Sequence, residues 1–230
     1  MVDGVMQNND LPGHAAGFEE VYADGSLVVL NKPAGLLAVP GRGEDKQDCL
    51  SRRVQQRYAD ALIVHRLDMA TSGLMLMARG AAMQRALSAL FEARQMHKRY
   101  MAVVQGEMPA RNKDTDGWDL IDLPIHADWE QRPQRVIDHA LGKPSQTRWR
   151  GLSFGAASNS SRVELEPVTG RSHQLRVHLQ ALGHPILGDM LYAPPSVQAM
   201  ASRLLLHACE LEFRHPESGT PIRFESAPGF

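Results

Sequence analysis

The stretch of residues 61–79, ALIVHRLDMATSGLMLMAR, constrains the fold of this chain more than any other. Two apolar runs, residues 61–64 and 74–78, flank a polar segment that contains Asp68. Each run is short and lacks the helical repeat of apolar positions, so each predicts a strand that is buried on both faces. A carboxylate between two core strands costs several kcal/mol unless it is paired or hydrogen-bonded. Something must therefore stabilise Asp68.

The polar segment, HRLDMATSG, allows a structural and a functional interpretation. In the structural one, Asp68 forms an Asx-turn with the backbone near Thr71, and Gly73 supplies a permissive backbone angle. In the functional one, the string HRLD-x-x-TSG-L resembles the signature of the RluA-type pseudouridine synthases. The resemblance implies that Asp68 is the catalytic aspartate, because it occupies the aspartate position of that signature.

Further segments resemble blocks of the same family, and they follow one another in the family's order. These segments are NKPAG at residues 31–35, KRY at 98–100, LPI at 123–125, GKPSQT at 142–147, TGRSHQLRVHL at 169–179, ALGHPILGDMLY at 181–192 and RLLLHACELEFRHP at 203–216. Within the family, the chain is most similar to the short members that modify both large-subunit ribosomal RNA and tRNA anticodon stem-loops.

The resemblance implies an α+β fold, in which helices flank a mixed, largely antiparallel sheet and a central active-site cleft holds the aspartate. With 230 residues, 43% of them hydrophobic, the chain can build a sizeable core. Residues 1–17 lack the basic and apolar regions of a signal peptide, and we expect them to form a mobile arm. Residues 18–230 are expected to form one catalytic domain. Too few residues precede NKPAG to build an S4-type RNA-binding module, so none is expected.

The spacing of apolar and turn residues predicts most of the secondary structure. Strands are expected at residues 18–23, 27–31, 98–104, 145–150 and 161–166, and helices at residues 48–58 and 81–93. Residues 106–142 are rich in Pro, Asp and Asn, which predicts a loop-rich connection with one short strand at residues 121–125. Ser172 is expected to cap a helix that Gly183 ends.

The charges are unevenly distributed along the chain. The formal net charge of −1 is not typical of a nucleic-acid-binding protein. Residues 79–99 and 132–150 are nevertheless basic, whereas residues 107–130 are acidic. Two interpretations of the basic stretches stay open, because they could grip an RNA backbone or form ordinary solvated faces. The acidic run at residues 114–119 fits no known pattern.

Two further features bear on the cellular location. Cys49 and Cys209 lie far apart in the chain without a C-x-x-C pair, so both are expected to be reduced core thiols. No apolar run approaches the roughly 20 residues of a membrane span. We therefore expect a cytoplasmic protein that does not bind membranes.

The chemistry that the resemblance implies assigns roles to three residues. Conversion of uridine to pseudouridine breaks the N-glycosidic bond and rejoins the base through C5, and a carboxylate can hold the intermediate without a metal or cofactor. Asp68 is then the nucleophile or base, although attack at C1′, attack at C6 and a glycal route all stay open. Arg176 is expected to pair with Asp68 and keep it ionised. Tyr100 is expected to stack on the base and is a candidate for proton transfer.

A uridine inside a stem-loop must be flipped out of its stack before it can react, at a cost of a few kcal/mol. By resemblance, Arg66 fills the vacated position, since its planar guanidinium stacks on bases. His65, Leu206 and Arg171 are placed in the surrounding RNA-binding shell, with core packing as the alternative for His65 and Leu206. The expected partner is structured RNA, namely stem-loops of 23S rRNA, tRNA or both, bound by a monomer.

Two other classes of protein remain as alternatives. A non-catalytic RNA-binding protein would keep the basic stretches without needing Asp68. An aspartate-dependent hydrolase would need a second carboxylate or a metal cluster. Among the acids of the matched blocks, Asp189 is the candidate companion to Asp68, and the spacing of His173 and His178 does not match a zinc-binding helix. We therefore expect no metal site.

Overall fold

The structure, a computed structural model, describes residues 18–108, 117–130 and 132–230. Within these residues the strands are β1 (Glu19–Ala23), β2 (Leu27–Lys32), β3 (Ala61–Ile63), β4 (Ser72–Arg79), β5 (His97–Gln105), β6 (Asp119–Asp122), β7 (Ile125–Ala127), β8 (Arg135–Ile137), β9 (Gln146–Gly155), β10 (Ser160–Pro167), β11 (Leu206–Arg214) and β12 (Pro221–Glu225). The helices are α1 (Leu50–Arg57), α2 (Gly80–Glu92), α3 (Gln174–Ala181) and α4 (Pro195–Gln198). The expected arm at residues 1–17 and residues 114–116 of the acidic run at 114–119 lie outside the described residues.

Ten of these strands form one sheet, and β7 and β8 form a separate hairpin. The order across the sheet is β1-β2-β4-β11-β5-β10-β9-β6, while β12 also pairs with β11 and β3 also pairs with β4. Strands β4 and β11 run parallel. The other strand pairs of the described residues run antiparallel. The expected α+β fold with a mixed, largely antiparallel sheet is confirmed.

Strand β4 is buried on both faces, as its apolar sequence predicts. Met75 and Met77 pack with Leu50 and Val54 of α1 on one face of the sheet. Leu74 and Leu76 pack with helix α2 on the other face. The helices therefore cover both faces at this strand.

One edge of β4 is divided between two partner strands. Ser72 and Gly73 pair with β11, whereas Met77 to Arg79 pair with β3. The intervening N–H of Leu76 donates to Nε2 of His65 at 2.9 Å, so a side chain takes the place of a partner strand. The segment of residues 64–71, which joins β3 to β4, occupies this gap, and it is the segment that carries Asp68.

The prediction of one short strand at residues 121–125 is wrong. Strand β6 ends at Asp122 and β7 begins at Ile125, and β8 adds a third strand to the region. Pro124 has no N–H to continue the pairing with β9, so the chain turns there. Ile125 pairs instead with Lys143 and with β8.

Substitution of Gly73 tests how much the close approach of β4 to β11 contributes to stability. Its φ is +111°, and a Cβ at this position would overlap the backbone of Ala208. We expect Gly73→Ala to lower the free energy of unfolding by about 3 kcal/mol or more, from strain and overlap together. The control is Gly219→Ala, because Gly219 has φ +69° with open space around it and should lose only about 1 kcal/mol from strain. Equal losses in denaturant unfolding would show that the close approach carries no energetic weight.

Candidate active site

A cleft of about 730 Å³ opens where the 64–71 segment, β5 and the start of α3 meet. Residues from each of these elements form its walls. All seven site residues expected from the sequence line it, namely His65, Arg66, Asp68, Tyr100, Arg171, Arg176 and Leu206. The structure thus brings together side chains from positions more than 100 residues apart.

The NKPAG block, residues 31–35, supports the 64–71 segment through the carbonyl of Met69. The carbonyl of Met69, next to Asp68, accepts the N–H of Gly35 at 2.8 Å and Nζ of Lys32 at 3.0 Å. Nζ also donates to the carbonyls of Pro33 and Leu36. Burial lowers the pKa of this fully buried lysine to about 8, although the charge of Asp68 opposes the shift. Lys32 thus supports the site through the backbone of Met69, whereas the sequence identified it only as part of the NKPAG block.

The carboxylate of Asp68 points into the cleft and does not form an Asx-turn. The hydrogen bond of the turn runs from the N–H of Thr71 to the backbone carbonyl of Asp68, at 3.1 Å. The carboxylate instead faces the guanidinium of Arg176 and the imidazole of His173. Its Oδ2 lies 3.6 Å from Nη1 of Arg176, and its Oδ1 lies 3.8 Å from Nε2 of His173. Its side chain is 30% exposed, so a ligand in the cleft can reach it.

Arg176 has a closer partner than the predicted one. Its Nε and Nη2 donate to the two carboxylate oxygens of Asp189 at 2.8 and 2.6 Å, and its side chain is only 4% exposed. The expected pairing with Asp68 is therefore the longer of its two contacts. Asp189 also accepts the N–H groups of Leu191 and Tyr192. Because these bonds occupy it, Asp189 is not available as a second catalytic acid.

Helix α3 begins one residue later than a cap at Ser172 would place it. Its first residue is Gln174, and the residue before it, His173, has a left-handed backbone with φ +59°. The side chain of Gln174 accepts the N–H of Arg171 and the hydroxyl of Thr169, and these bonds fix the start of the helix. The predicted cap at Ser172 is wrong, because His173 interrupts the helical backbone there.

Tyr100 lies on β5 in the middle of the sheet. Its neighbours across the sheet are Leu165 on β10 and Ala208 on β11, and Ala208 in turn pairs with Gly73. Burial raises the pKa of Tyr100, and the charge of Asp68 raises it further, so the phenol is neutral.

The four other expected residues differ in how free they are to contact a ligand. Arg66 and Arg171 are exposed at the cleft. Leu206 is a buried member of the core that also lines the cleft. His65 accepts the Leu76 N–H and stacks on Phe91, and burial, with a further contribution from Lys98, lowers its pKa to about 3. Its imidazole is thus neutral, and its hydrogen bond and ring contact stabilise the fold.

Neither metal-binding clusters nor membrane helices emerge from the described residues. No group of three or more His, Cys, Asp or Glu side chains in residues 18–108, 117–130 and 132–230 could hold a metal ion. Over the same residues, no helix is long and apolar enough to cross a membrane.

Comparison with known proteins identifies the class of this enzyme. The family model of RNA pseudouridylate synthase matches residues 26–181. The chain therefore belongs to the RNA pseudouridylate synthase family, whose members are isomerases that modify RNA. Among curated proteins it is 47% identical over 211 residues to the dual-specificity RNA pseudouridine synthase RluA of Escherichia coli strain K12, with 91% of this chain and 93% of that protein covered.

Another curated protein and two solved structures are also similar to this chain. The protein of the same name from Yersinia pestis is 47% identical, with 91% of this chain and 98% of that protein covered. The solved structure of human RNA pseudouridylate synthase domain containing 1 has a TM-score of 0.75 at 28% identity and covers 95% of this chain and 86% of its own. Human RNA pseudouridylate synthase domain containing 4 has a TM-score of 0.69 at 26% identity, with 91% and 88% covered.

The ion pair of Arg176 and Asp189 predicts that stability and activity can be separated. We expect Arg176→Met to lower the free energy of unfolding by about 3–5 kcal/mol, because it leaves Asp189 buried and unpaired. The double variant Arg176→Met/Asp189→Leu should recover part of this loss, since no charge is left unpaired. It should remain inactive, because Nη1 no longer faces Asp68.

Denaturant unfolding and an RNA isomerisation assay together check this expectation. Arg53→Met is the control, because it breaks an exposed ion pair with Asp48 and should cost less than about 1 kcal/mol. A double variant with the rate of the wild type would show that Asp68 does not need Arg176.

Proposed function

We propose that this protein converts uridine to pseudouridine in stem-loops of 23S rRNA and of tRNA, the anticodon stem-loop included, with Asp68 as its reacting carboxylate. The observation that carries the proposal is the placement of Asp68, which is partly exposed in a cleft and faces a buried arginine. The printed name of the bacterial relatives, dual-specificity RNA pseudouridine synthase, supports two classes of RNA substrate.

The reaction is an isomerisation, and the residues of the cleft are suited to it. The N1–C1′ bond breaks, a C5–C1′ bond forms, the hydrogen on C5 leaves as a proton and N1 takes up a proton, so no oxidant or reductant is required. Asp68 attacks C1′ or C6, or removes a proton on a glycal route. Arg176 faces the carboxylate and orients it. We assign to the neutral phenol of Tyr100 stacking on the base and the exchange of a proton.

A cleft of about 730 Å³ has the size of a small-ligand site, so it admits a nucleotide and not a helix. The target uridine must therefore leave its stack before it reaches Asp68. Arg66 is exposed two residues before Asp68 and makes no hydrogen bond or ion pair to another described residue. We assign to it the filling of the vacated position in the stack.

The cations at the cleft, and not the whole basic stretches, are the contacts we assign to the RNA backbone. Arg66, Arg94, Lys98 and Arg171 line the cleft. Several other basic residues of residues 79–99 and 132–150 are used within the protein, because Arg79, Arg99, Arg148 and Arg150 form ion pairs with acidic residues. RNA binding should therefore depend on a few charges near Asp68.

We infer that the enzyme acts as a monomer in the cytoplasm, where its proposed substrates are made. The two alternative classes of protein have less support. A binding module needs no paired carboxylate in its cleft, and a hydrolase needs a second acid, whereas Asp189 is already bound by Arg176.

Asp68 is tested by substitution with Asn or Ala. Both variants should release no tritium from RNA labelled at C5 of uridine, while RNA binding survives because phosphate and stacking contacts supply most of the affinity. Asp48→Asn, which changes an exposed carboxylate outside the cleft, should keep full activity. Tritium release by folded Asp68→Asn at the rate of the wild type would remove Asp68 from its role.

Arg66 is tested by comparing binding with single-turnover rate on an isolated anticodon stem-loop and on a ribosomal RNA hairpin. Arg66→Ala should slow isomerisation much more than it weakens binding, because filling the stack matters for flipping. Arg171→Gln should mainly weaken binding and reduce the dependence of log Kd on log salt concentration by about 0.7, the loss of one single-strand phosphate contact. An unchanged rate for Arg66→Ala, or activity on intact ribosomal particles alone, contradicts this assignment.

A further inference from the structure

His173 faces the active site from a strained backbone. Its φ of +59° lies in the left-handed region, which costs a residue other than glycine roughly 1–3 kcal/mol unless its surroundings hold it there. Its imidazole lines the cleft, and Nε2 lies 3.8 Å from Oδ1 of Asp68. Strained residues of this kind cluster at functional sites. The imidazole of His173 is therefore a candidate for a role in the reaction.

Tyr192 determines which nitrogen of His173 carries the hydrogen. The hydroxyl of Tyr192 accepts the backbone N–H of Arg135 at 2.9 Å and lies 2.6 Å from Nδ1 of His173. The tyrosine is only 7% exposed, and within the described residues its hydrogen has no other acceptor than Nδ1. Tyr192 thus donates to Nδ1, so a neutral imidazole carries its hydrogen on Nε2.

The charge state of His173 follows from the groups around it. Burial lowers its pKa, the positive charges of Arg176 and Arg135 act in the same direction, and the charges of Asp68 and Asp189 oppose the shift. The net direction is downward, so the imidazole is neutral at neutral pH. A neutral imidazole with hydrogen on Nε2 presents a donor to the carboxylate of Asp68.

We propose that His173 is a positioning residue for the reaction, and that its Nε2–H, fixed by Tyr192, holds Oδ1 of Asp68 while Arg176 holds Oδ2. This inference rests on the proposed role of Asp68. The separations of 3.8 and 3.6 Å shorten to hydrogen bonds when RNA binds in the cleft, as catalytic hydrogen bonds commonly do. With a donor on each oxygen, the carboxylate keeps one orientation toward the flipped uridine.

Three substitutions of His173 separate this donor from a purely structural role. His173→Gly relieves the backbone strain and removes the donor. His173→Asn also tolerates the left-handed backbone, but its amide reaches only as far as Nδ1. His173→Gln carries an N–H at the distance of Nε2. Gly and Asn should lower the single-turnover rate on an anticodon stem-loop on the order of tenfold to a hundredfold with Kd for the RNA unchanged, and Gln should recover much of the rate.

Two further measurements isolate the donor. Added imidazole should restore part of the rate of His173→Gly and have no effect on the wild type, because it supplies the missing N–H. Tyr192→Phe should lower the single-turnover rate when it is introduced into the wild-type enzyme, since either tautomer of His173 then forms. It should not lower the rate of the His173→Gly variant further. A Gly variant with the rate of the wild type, or a Gln variant no faster than Gly, would overturn the inference.

The Asp68→Asn variant distinguishes the two proposals. If it is inactive while His173→Gly keeps the rate of the wild type, the positioning role of His173 is wrong and the proposed function stands. If Asp68→Asn itself is active, the proposed role of Asp68 is wrong as well.

Discussion

The ion pair of Arg176 and Asp189 is the interaction on which the arrangement of the active site depends. It joins α3 to the segment that contains Tyr192, and so it fixes the group that faces Oδ2 of Asp68 and the hydroxyl that orients His173. A buried ion pair adds little net stability, because desolvation of both charges offsets their attraction. Apolar residues of similar volume would hold the helix as well. The pair is better explained by the geometry it gives to Nη1 of Arg176.

The support of Asp68 from the other side combines backbone groups with the side chains of Lys32 and His65. The carbonyl of Met69 is held by Gly35 and Lys32, and the edge of β4 leaves a gap that His65 fills. These contacts fix the 64–71 segment without using the carboxylate of Asp68. The aspartate is therefore free to bind a substrate although its neighbours in sequence are rigidly held.

Much of this fold and site could be predicted from the sequence, because apolar runs without helical spacing indicate strands such as β4, and matched blocks identify residues of the cleft. Other features have no such pattern. The partner of Arg176 lies 13 residues away beyond the end of its helix, and the left-handed backbone of His173 is set by tertiary contacts with Tyr192. The sequence indicates His173 only as a possible zinc ligand, although it lies between Arg171 and Arg176. The turn at Pro124 could have been inferred from its missing N–H.

The positions of the charges in the fold are more informative about RNA binding than the net charge. Two basic stretches stand out in the sequence, yet Arg79, Arg99, Arg148 and Arg150 of those stretches form ion pairs with acidic residues. The cations that line the cleft share its walls with Asp68. A protein of net charge −1 can therefore present a local positive surface at the cleft that holds Asp68.

The central claim is that a flipped uridine reaches Asp68 while Arg66 occupies its former place. The most direct measurement is a crystal structure of the enzyme bound to an anticodon stem-loop with 5-fluorouridine at the target position, since fluorine on C5 cannot leave as a proton and the reaction stalls. We expect the base in the cleft, within bonding or hydrogen-bonding distance of Asp68 and stacked on Tyr100, with the Arg66 guanidinium in the helical stack. A target base that remains stacked in the RNA, or that lies in the cleft away from Asp68, would contradict this account.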